Sequence, residues 1–164
     1  LAMGSCRSLN VLLGMSLAMR ELDQHEWLIV LGIGTYIAGL TWFARTEATT
    51  SRRGMLVMAA ISSLVGLALI GSVAYLPVTV DMKLKPTGWL LLWSVISLLL
   101  LRRYLLAIVR PTPRYVQMAI KNGILTLIYI DSGIALGFGE FFWGCAILLL
   151  IFPTLILGRS ISMT

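Results

Sequence analysis

The sequence predicts an all-α fold, a polytopic transmembrane helical bundle with about six membrane segments. Of its 164 residues, 59% are hydrophobic and only 12% are charged, whereas ordinary globular domains have roughly 45–50% and about 25%. The apolar residues fall into runs of about 20, which is the length that an α-helix needs to cross the hydrocarbon core of a bilayer. These runs use nearly the whole chain, so the composition excludes a soluble domain.

Three of the predicted segments lie in the first half of the chain. The first is interrupted by Arg7 and Asn10 and is expected to be the inner part of a helix that begins earlier. A polar connection, Arg20–Glu26, leads to the second segment, whose aromatic ends are typical of rings at the headgroup level. The loop Arg45–Arg53 leads to the third. The three segments are Leu1–Met19, Trp27–Ala44 and Gly54–Pro77.

The other three segments lie in the second half. The fourth can continue through Arg102 and Arg103 as an interfacial helix, and Pro111 and Pro113 are expected to end it because neither can donate a backbone hydrogen bond. The connection between the last two segments is very short, which predicts an antiparallel hairpin, and Pro153 is expected to kink the sixth. The three segments are Thr87–Leu101, Tyr115–Phe138 and Glu140–Gly158.

The net charge of +6 reflects topology, since the basic residues sit at the ends of apolar runs and form no stripe for nucleic acid. The positive-inside rule then predicts both termini on the cytoplasmic side of a bacterial inner membrane or an organelle membrane. Arg20, Lys83 and Lys85 lie on the opposite side. The cytoplasmic basic residues are those of the loop Arg45–Arg53, the stretch Arg102–Arg114 and Arg159.

Five polar residues at membrane depth need an explanation, because ionisable groups in a span cost a few kcal/mol. They are Arg7, Asn10, Lys121, Asn122 and Asp131. Lys121 and Asp131 are roughly 15 Å apart along one helix, so they cannot pair with each other. Lys121 either extends to the headgroups or points into a polar pocket, and Asp131 either caps a shortened helix or lines that pocket. Arg7 and Asn10 share a helix face and can line the same pocket. We predict that Lys121 and Asp131 point into the bundle.

The loop Arg45–Arg53 is a candidate anion site. Arg45, Arg52 and Arg53 offer planar, bidentate recognition of phosphate oxygens, Glu47 can orient an arginine, and hydroxyls at positions 49–51 can donate to the anion. The alternative is that the arginines gather there for topology alone.

Three stretches carry a resemblance to a known family. Met3–Gly14 contains the pattern CRxLNxLLG, Thr41–Ala48 falls on a predicted cytoplasmic loop, and Arg110–Asp131 enters the fifth segment. These stretches resemble the second half of UbiA-type membrane prenyltransferases, whose second acidic motif lies on the corresponding loop. The resemblance spans most of the chain and predicts one transmembrane domain over 1–164, the C-terminal half of a larger UbiA-like bundle.

The resemblance implies a function and a set of site residues. In this family two aspartate-rich motifs bind a polyprenyl diphosphate through Mg²⁺ in a central cavity, and the prenyl carbocation is captured by an aromatic or other lipophilic acceptor. Here the diphosphate would face the loop Arg45–Arg53, with Glu47 among its arginines, and the cavity beyond would be lined by polar residues of the spans. The cavity residues would be Arg7, Asn10, Lys121 and Asp131.

The sequence departs from the family pattern at the metal site. The first aspartate motif is absent, and at the second only Glu47 remains, a poor Mg²⁺ ligand among arginines. Metal-dependent catalysis by this chain alone is therefore not expected, and no metal ligand is assigned. The alternative function is a non-catalytic membrane subunit that holds lipid, quinone or pigment in a larger energy-converting complex, with another chain completing the bundle.

Overall fold

All the elements of the computed structural model are helices, and it describes residues 2–18, 23–45, 53–76 and 83–161. No strand occurs in these ranges, so the prediction of an all-α fold is confirmed for them. A short 3₁₀ helix, Ser72–Tyr75, extends the third helix. The α-helices are α1 (Ala2–Ala18), α2 (Gln24–Arg45), α3 (Arg53–Gly71), α4 (Pro86–Val109), α5 (Pro113–Gly137), α6 (Phe141–Leu149) and α7 (Ile151–Ile161).

Four helices are long and apolar enough to cross a membrane: α2, α3 with its 3₁₀ extension, α4 and α5. Their 22 to 25 residues correspond to roughly 33–38 Å, which exceeds a hydrocarbon core of about 30 Å. At 17 residues α1 is shorter, and the sixth predicted segment is divided between α6 and α7. The described helices are thus compatible with an integral membrane protein.

Helix α2 begins earlier than the sequence predicts, and the assignment of Glu26 to a polar connection is wrong. The backbone N–H of Asp23 donates to Glu26 Oε2 at 2.9 Å, as in a capping box, where the residue before the helix and a Glu three positions later satisfy each other. His25 and Glu26 are then buried in the first turn.

Prolines define the junction between α4 and α5. Helix α4 continues without a break through Arg102 and Arg103 and ends at Val109, which confirms the longer of the two predicted forms. Pro113 is the first residue of α5, a position where its missing N–H costs nothing.

Small residues bring α2 and α3 into the most extensive helix contact of the described chain. A Cβ on Gly66 would lie 2.5 Å from the backbone N of Tyr36, and one on Gly39 would lie 2.6 Å from the backbone N of Ser63. Such close approach between helices is how membrane bundles gain packing energy when lipid competes for every apolar surface.

Buried aromatic residues join this pair to α4 and α5. Tyr36 of α2 donates to the carbonyl of Gly123 in α5 at 2.7 Å, and Tyr104 of α4 donates to Ser63 Oγ of α3 at 3.3 Å. The rings of Phe43 and Tyr104 stack with centroids 4.7 Å apart. The core therefore lies among α2, α3, α4 and α5.

The predicted hairpin between the fifth and sixth segments is confirmed. Gly139 turns the chain with a φ of 89°, and Ser132 Oγ of α5 donates to the carbonyl of Gly144 in α6 at 2.8 Å. The predicted kink occurs as a break at Leu150, three residues before Pro153. Thr154 Oγ1 donates to the Leu150 carbonyl at 2.6 Å, which satisfies an acceptor at the break.

Candidate functional site

An ion pair between two apolar helices joins the first helix to the fifth. Arg7 Nη2 of α1 lies 2.8 Å from Asp131 Oδ2 of α5, and the side chains are 40% and 33% exposed. The sequence leaves two alternatives for Asp131, a cap on a shortened helix or a place in a polar pocket that Arg7 can also line. The structure brings these two predicted site residues together.

Neighbouring contacts fix the level of this ion pair in the bundle. Ser8, next to Arg7, donates to the carbonyl of Val30 in α2 at 3.3 Å. Asp131 lies roughly 27 Å along α5 from Pro113. The pair is therefore in the half of the bundle that lies away from the end of α2 at Arg45. Arg7 Nε is buried and has no hydrogen-bond partner in the part of the chain that the structure describes.

Two other predicted pocket residues do not join the pair. Lys121 is exposed, so the prediction that it points into the bundle is wrong; at this level of α5 its long side chain can reach the headgroups. Asn10 is also exposed and does not share the environment of Arg7. Asp131 is half-buried and engaged by Arg7, as predicted for a residue that points into the bundle.

The predicted anion loop is described only at its two ends. Arg45, the last residue of α2, is exposed and lines a cavity of about 320 Å³ together with Thr41 and Trp42. Arg53, the first residue of α3, is exposed. Glu47 and Arg52 lie outside the described residues.

A second site, which the sequence does not predict, is a groove of about 440 Å³ between α4, α5 and α6. We call it the lateral groove. One stripe of α4, one stripe of α5 and a single leucine of α6 form its walls. The lining residues are Leu92, Val95, Ile96, Leu99, Arg102, Arg103, Asn122, Thr126, Tyr129, Ser132, Gly133, Leu136 and Leu148.

The lateral groove is polar at one end and apolar at the other. Arg102 and Arg103 of α4 lie at the end where α5 contributes Asn122, and Leu92 and Leu136 lie at the opposite end. The signal in the sequence is a stripe of apolar residues on α4 at intervals of three and four residues that ends in the two arginines. Sequence reasoning assigned these arginines to topology alone.

Charge is divided between the two ends of the bundle. The described carboxylates other than Asp131 are Asp23, Glu26 and Glu140, at the starts of α2 and α6. These starts are neighbours, because the His25 and Phe138 rings lie 6.2 Å apart. The opposite end is basic. Its described cations include Arg45, Arg53, Arg102, Arg103, Arg110 and Arg114.

The described residues do not fit a Mg²⁺ site of the kind that the resemblance implies. Within them, no three His, Cys, Asp or Glu side chains come together. Asp131 is the one described carboxylate that lies in a helix beyond its first turn, and it already pairs with Arg7.

Comparison with protein-family models, with curated proteins and with solved structures gives no match. The described residues therefore define only a class: a helical bundle in which four helices are long and apolar enough to cross a membrane. The bundle carries an ion pair between α1 and α5 and a lateral groove with an arginine end.

Proposed function

We propose that this chain is a UbiA-like integral membrane prenyltransferase, corresponding to the C-terminal half of that family's bundle. In this proposal the chain crosses the membrane six times, with both termini cytoplasmic. It transfers a polyprenyl group from a diphosphate to an aromatic or other lipophilic acceptor.

The observation that carries the proposal is that the three stretches with family resemblance meet in space. Arg7 of the first stretch pairs with Asp131 of the third at 2.8 Å. Thr41 Oγ1 of the second stretch lies 3.9 Å from Met3 Sδ of the first. Residues 124 positions apart thus form one region, as expected if they serve a common site.

The geometry suits an amphipathic anionic substrate. The diphosphate would lie at the basic end, where Arg45 and Arg53 are exposed, and the prenyl chain would extend toward the level of the Arg7–Asp131 pair. In the reaction the allylic C–O bond breaks, diphosphate leaves, and the acceptor bonds to the allylic carbon and loses a proton. The arginines would stabilise the charge on the leaving diphosphate.

A second candidate is a non-catalytic subunit that holds a lipid, quinone or pigment. The pairing of Asp131 with Arg7 favours it, because a carboxylate neutralised by a guanidinium is a structural polar contact and is not free to bind metal. In that case the chain would bind lipophilic ligands without transferring a prenyl group.

The test is a transfer assay on membranes that contain the protein expressed from its full reading frame. Radiolabelled farnesyl or geranylgeranyl diphosphate is supplied with Mg²⁺ and a panel of phenolic and quinone acceptors. We expect a labelled lipid product, reduced at least tenfold by Arg45→Gln/Arg53→Gln and little affected by Arg110→Gln/Arg114→Gln. The second pair removes the same charge from exposed residues at the same end.

Each other result points to a different conclusion. Saturable binding of the diphosphate without product would support the holding function. An equal loss of labelled product in both double variants would show that the arginines act only through the overall positive charge of this end of the bundle. Neither binding nor transfer would refute the proposal.

A further inference from the structure

We propose that the lateral groove binds an anionic phospholipid, with one acyl chain between α4 and α5 and the phosphate at Arg102 and Arg103. This site is separate from the Arg7–Asp131 pair. Asp131 follows Asn122 by roughly two and a half helical turns, so the two residues lie on opposite faces of α5. The inference does not depend on prenyl transfer.

The length of the groove matches one leaflet of a bilayer. Leu92 and Arg103 are roughly 16 Å apart along α4, at about 1.5 Å per residue. Half of a hydrocarbon core of about 30 Å is about 15 Å. A lipid whose headgroup lies at the arginines would therefore extend its acyl chain to the bilayer midplane, where the groove ends.

The polar end is complementary to a phosphodiester. Arg102 and Arg103 are exposed, and neither forms an ion pair with a carboxylate of the described residues. Asn122 is half-buried beside them, and its amide can donate to a phosphate or ester oxygen. Two guanidinium groups on adjacent residues provide the planar donors that phosphate oxygens favour.

The walls of the groove are accessible from the side of the bundle. Val95 is 52% exposed and Leu99 is 56% exposed, so a lipid can enter directly from the bilayer. Such lateral access suits a resident membrane lipid better than a soluble anion.

The test uses the purified full-length protein in nanodiscs of phosphatidylcholine that contain a minor fraction of spin-labelled phosphatidylglycerol. Electron spin resonance measures the immobilised fraction of the label. We expect Arg102→Gln/Arg103→Gln to lower the affinity of the immobilised phosphatidylglycerol roughly thirtyfold, because each arginine near the headgroups contributes about 1 kcal/mol and every 1.4 kcal/mol corresponds to about tenfold. The matched control is Arg110→Gln/Arg114→Gln, which should retain the immobilised fraction.

A second pair of variants tests the acyl chain. Leu99→Trp would fill the groove and should displace the immobilised lipid, whereas Leu98→Trp changes the neighbouring residue, which is 67% exposed and outside the groove. Both substitutions are at exposed positions, so folding should tolerate them.

Several outcomes would overturn the inference. One is an equal loss of immobilised phosphatidylglycerol in the two arginine double variants. Another is an equal immobilised fraction in the two tryptophan variants. The third is that spin-labelled phosphatidylcholine is immobilised as strongly as spin-labelled phosphatidylglycerol. Displacement by farnesyl diphosphate but not by excess phosphatidylglycerol would assign the groove to a prenyl donor, and displacement by inorganic phosphate alone would reduce it to an anion site. Prenyl transfer is measured in parallel on the same protein. A failure of transfer would count against the proposed function and would leave the result on lipid binding unchanged.

Discussion

Arg7 of α1 and Asp131 of α5 show how two charged side chains are accommodated between apolar helices. Each charge alone would cost a few kcal/mol at the bilayer centre. A single hydrogen-bonded contact at 2.8 Å gives each one a partner. Both side chains remain about one-third exposed or more. While they contact each other, they are therefore also accessible to a ligand or to a further chain.

A double-mutant cycle measures the strength of this contact. Arg7→Met leaves Asp131 unpaired and Asp131→Leu leaves Arg7 unpaired, so we expect each to lower the unfolding free energy in detergent. The double variant should recover part of the loss, with a coupling free energy of about 1–2 kcal/mol, as for polar contacts between membrane helices.

Lys121→Met is the control for that cycle, since Lys121 is an exposed cation on the same helix as Asp131. Its effect should stay within about 0.5 kcal/mol. Additive effects of Arg7→Met and Asp131→Leu would contradict a stabilising pair.

Among the elements, α2 and α3 pack closely because glycines at their interface let the two helix backbones approach each other. Gly32, Gly39 and Gly66 remove the side chains that would separate the two backbones. Tyr36 of α2, whose backbone lies against Gly66 of α3, reaches α5 with its hydroxyl. The close packing of α2 on α3 therefore also sets the position of α5, which carries Asp131.

Gly66→Ala tests this dependence. The added Cβ would lie 2.5 Å from the backbone N of Tyr36, and backbone cannot move aside as a flexible side chain can. We expect a loss of about 1–3 kcal/mol of stability, the usual cost of overpacking, measured by thermal unfolding in detergent with circular dichroism.

Gly54→Ala in the same helix is the matched control. Nothing lies within 4 Å of its added Cβ, so this variant should be as stable as the parent or more stable by up to about 1 kcal/mol, because Ala favours helix over Gly. Equal effects of the two substitutions would refute the role of close packing.

The helices could be predicted from the sequence, and the sites only in part. Apolar runs and prolines mark α3, α4 and α5 to within a few residues, because hydrophobicity acts locally. The early start of α2 was missed, since the capping contact between Asp23 and Glu26 looks like ordinary loop polarity.

It was harder to predict which residues the polar side chains contact than to predict which polar side chains belong to a site. The depth of Asp131 shows that it needs a partner, but Arg7 is 124 positions away, and no local pattern connects them. The lateral groove likewise depends on how α4, α5 and α6 meet. Arg102 and Arg103 are therefore indistinguishable in sequence from arginines that only mark the membrane boundary.

At the scale of the whole molecule, the bundle has one basic end and one end with most of the described carboxylates. Lys83 lies at the latter end, because its side chain is next to Gly139 in the connection between α5 and α6. Arg53 begins α3 at the basic end. The arginines of the proposed diphosphate site and of the lateral groove lie at that basic end, so the orientation of the bundle decides which leaflet and which aqueous compartment they face.

The positive-inside rule predicts that the basic end is cytoplasmic, because arginines close to membrane spans are retained on that side during insertion. Cysteines introduced by Lys83→Cys and Arg53→Cys report the two ends, in a background where Cys6 and Cys145 are replaced by Ala. A membrane-impermeant maleimide added to intact cells or sealed vesicles of known orientation should label Lys83→Cys from the non-cytoplasmic side. Arg53→Cys should react from that side only after permeabilisation, and labelling of both positions from the same side would refute the topology. A reversed pattern would keep the bundle but place the arginines of both sites at the opposite leaflet, where a cytoplasmic diphosphate could not reach them.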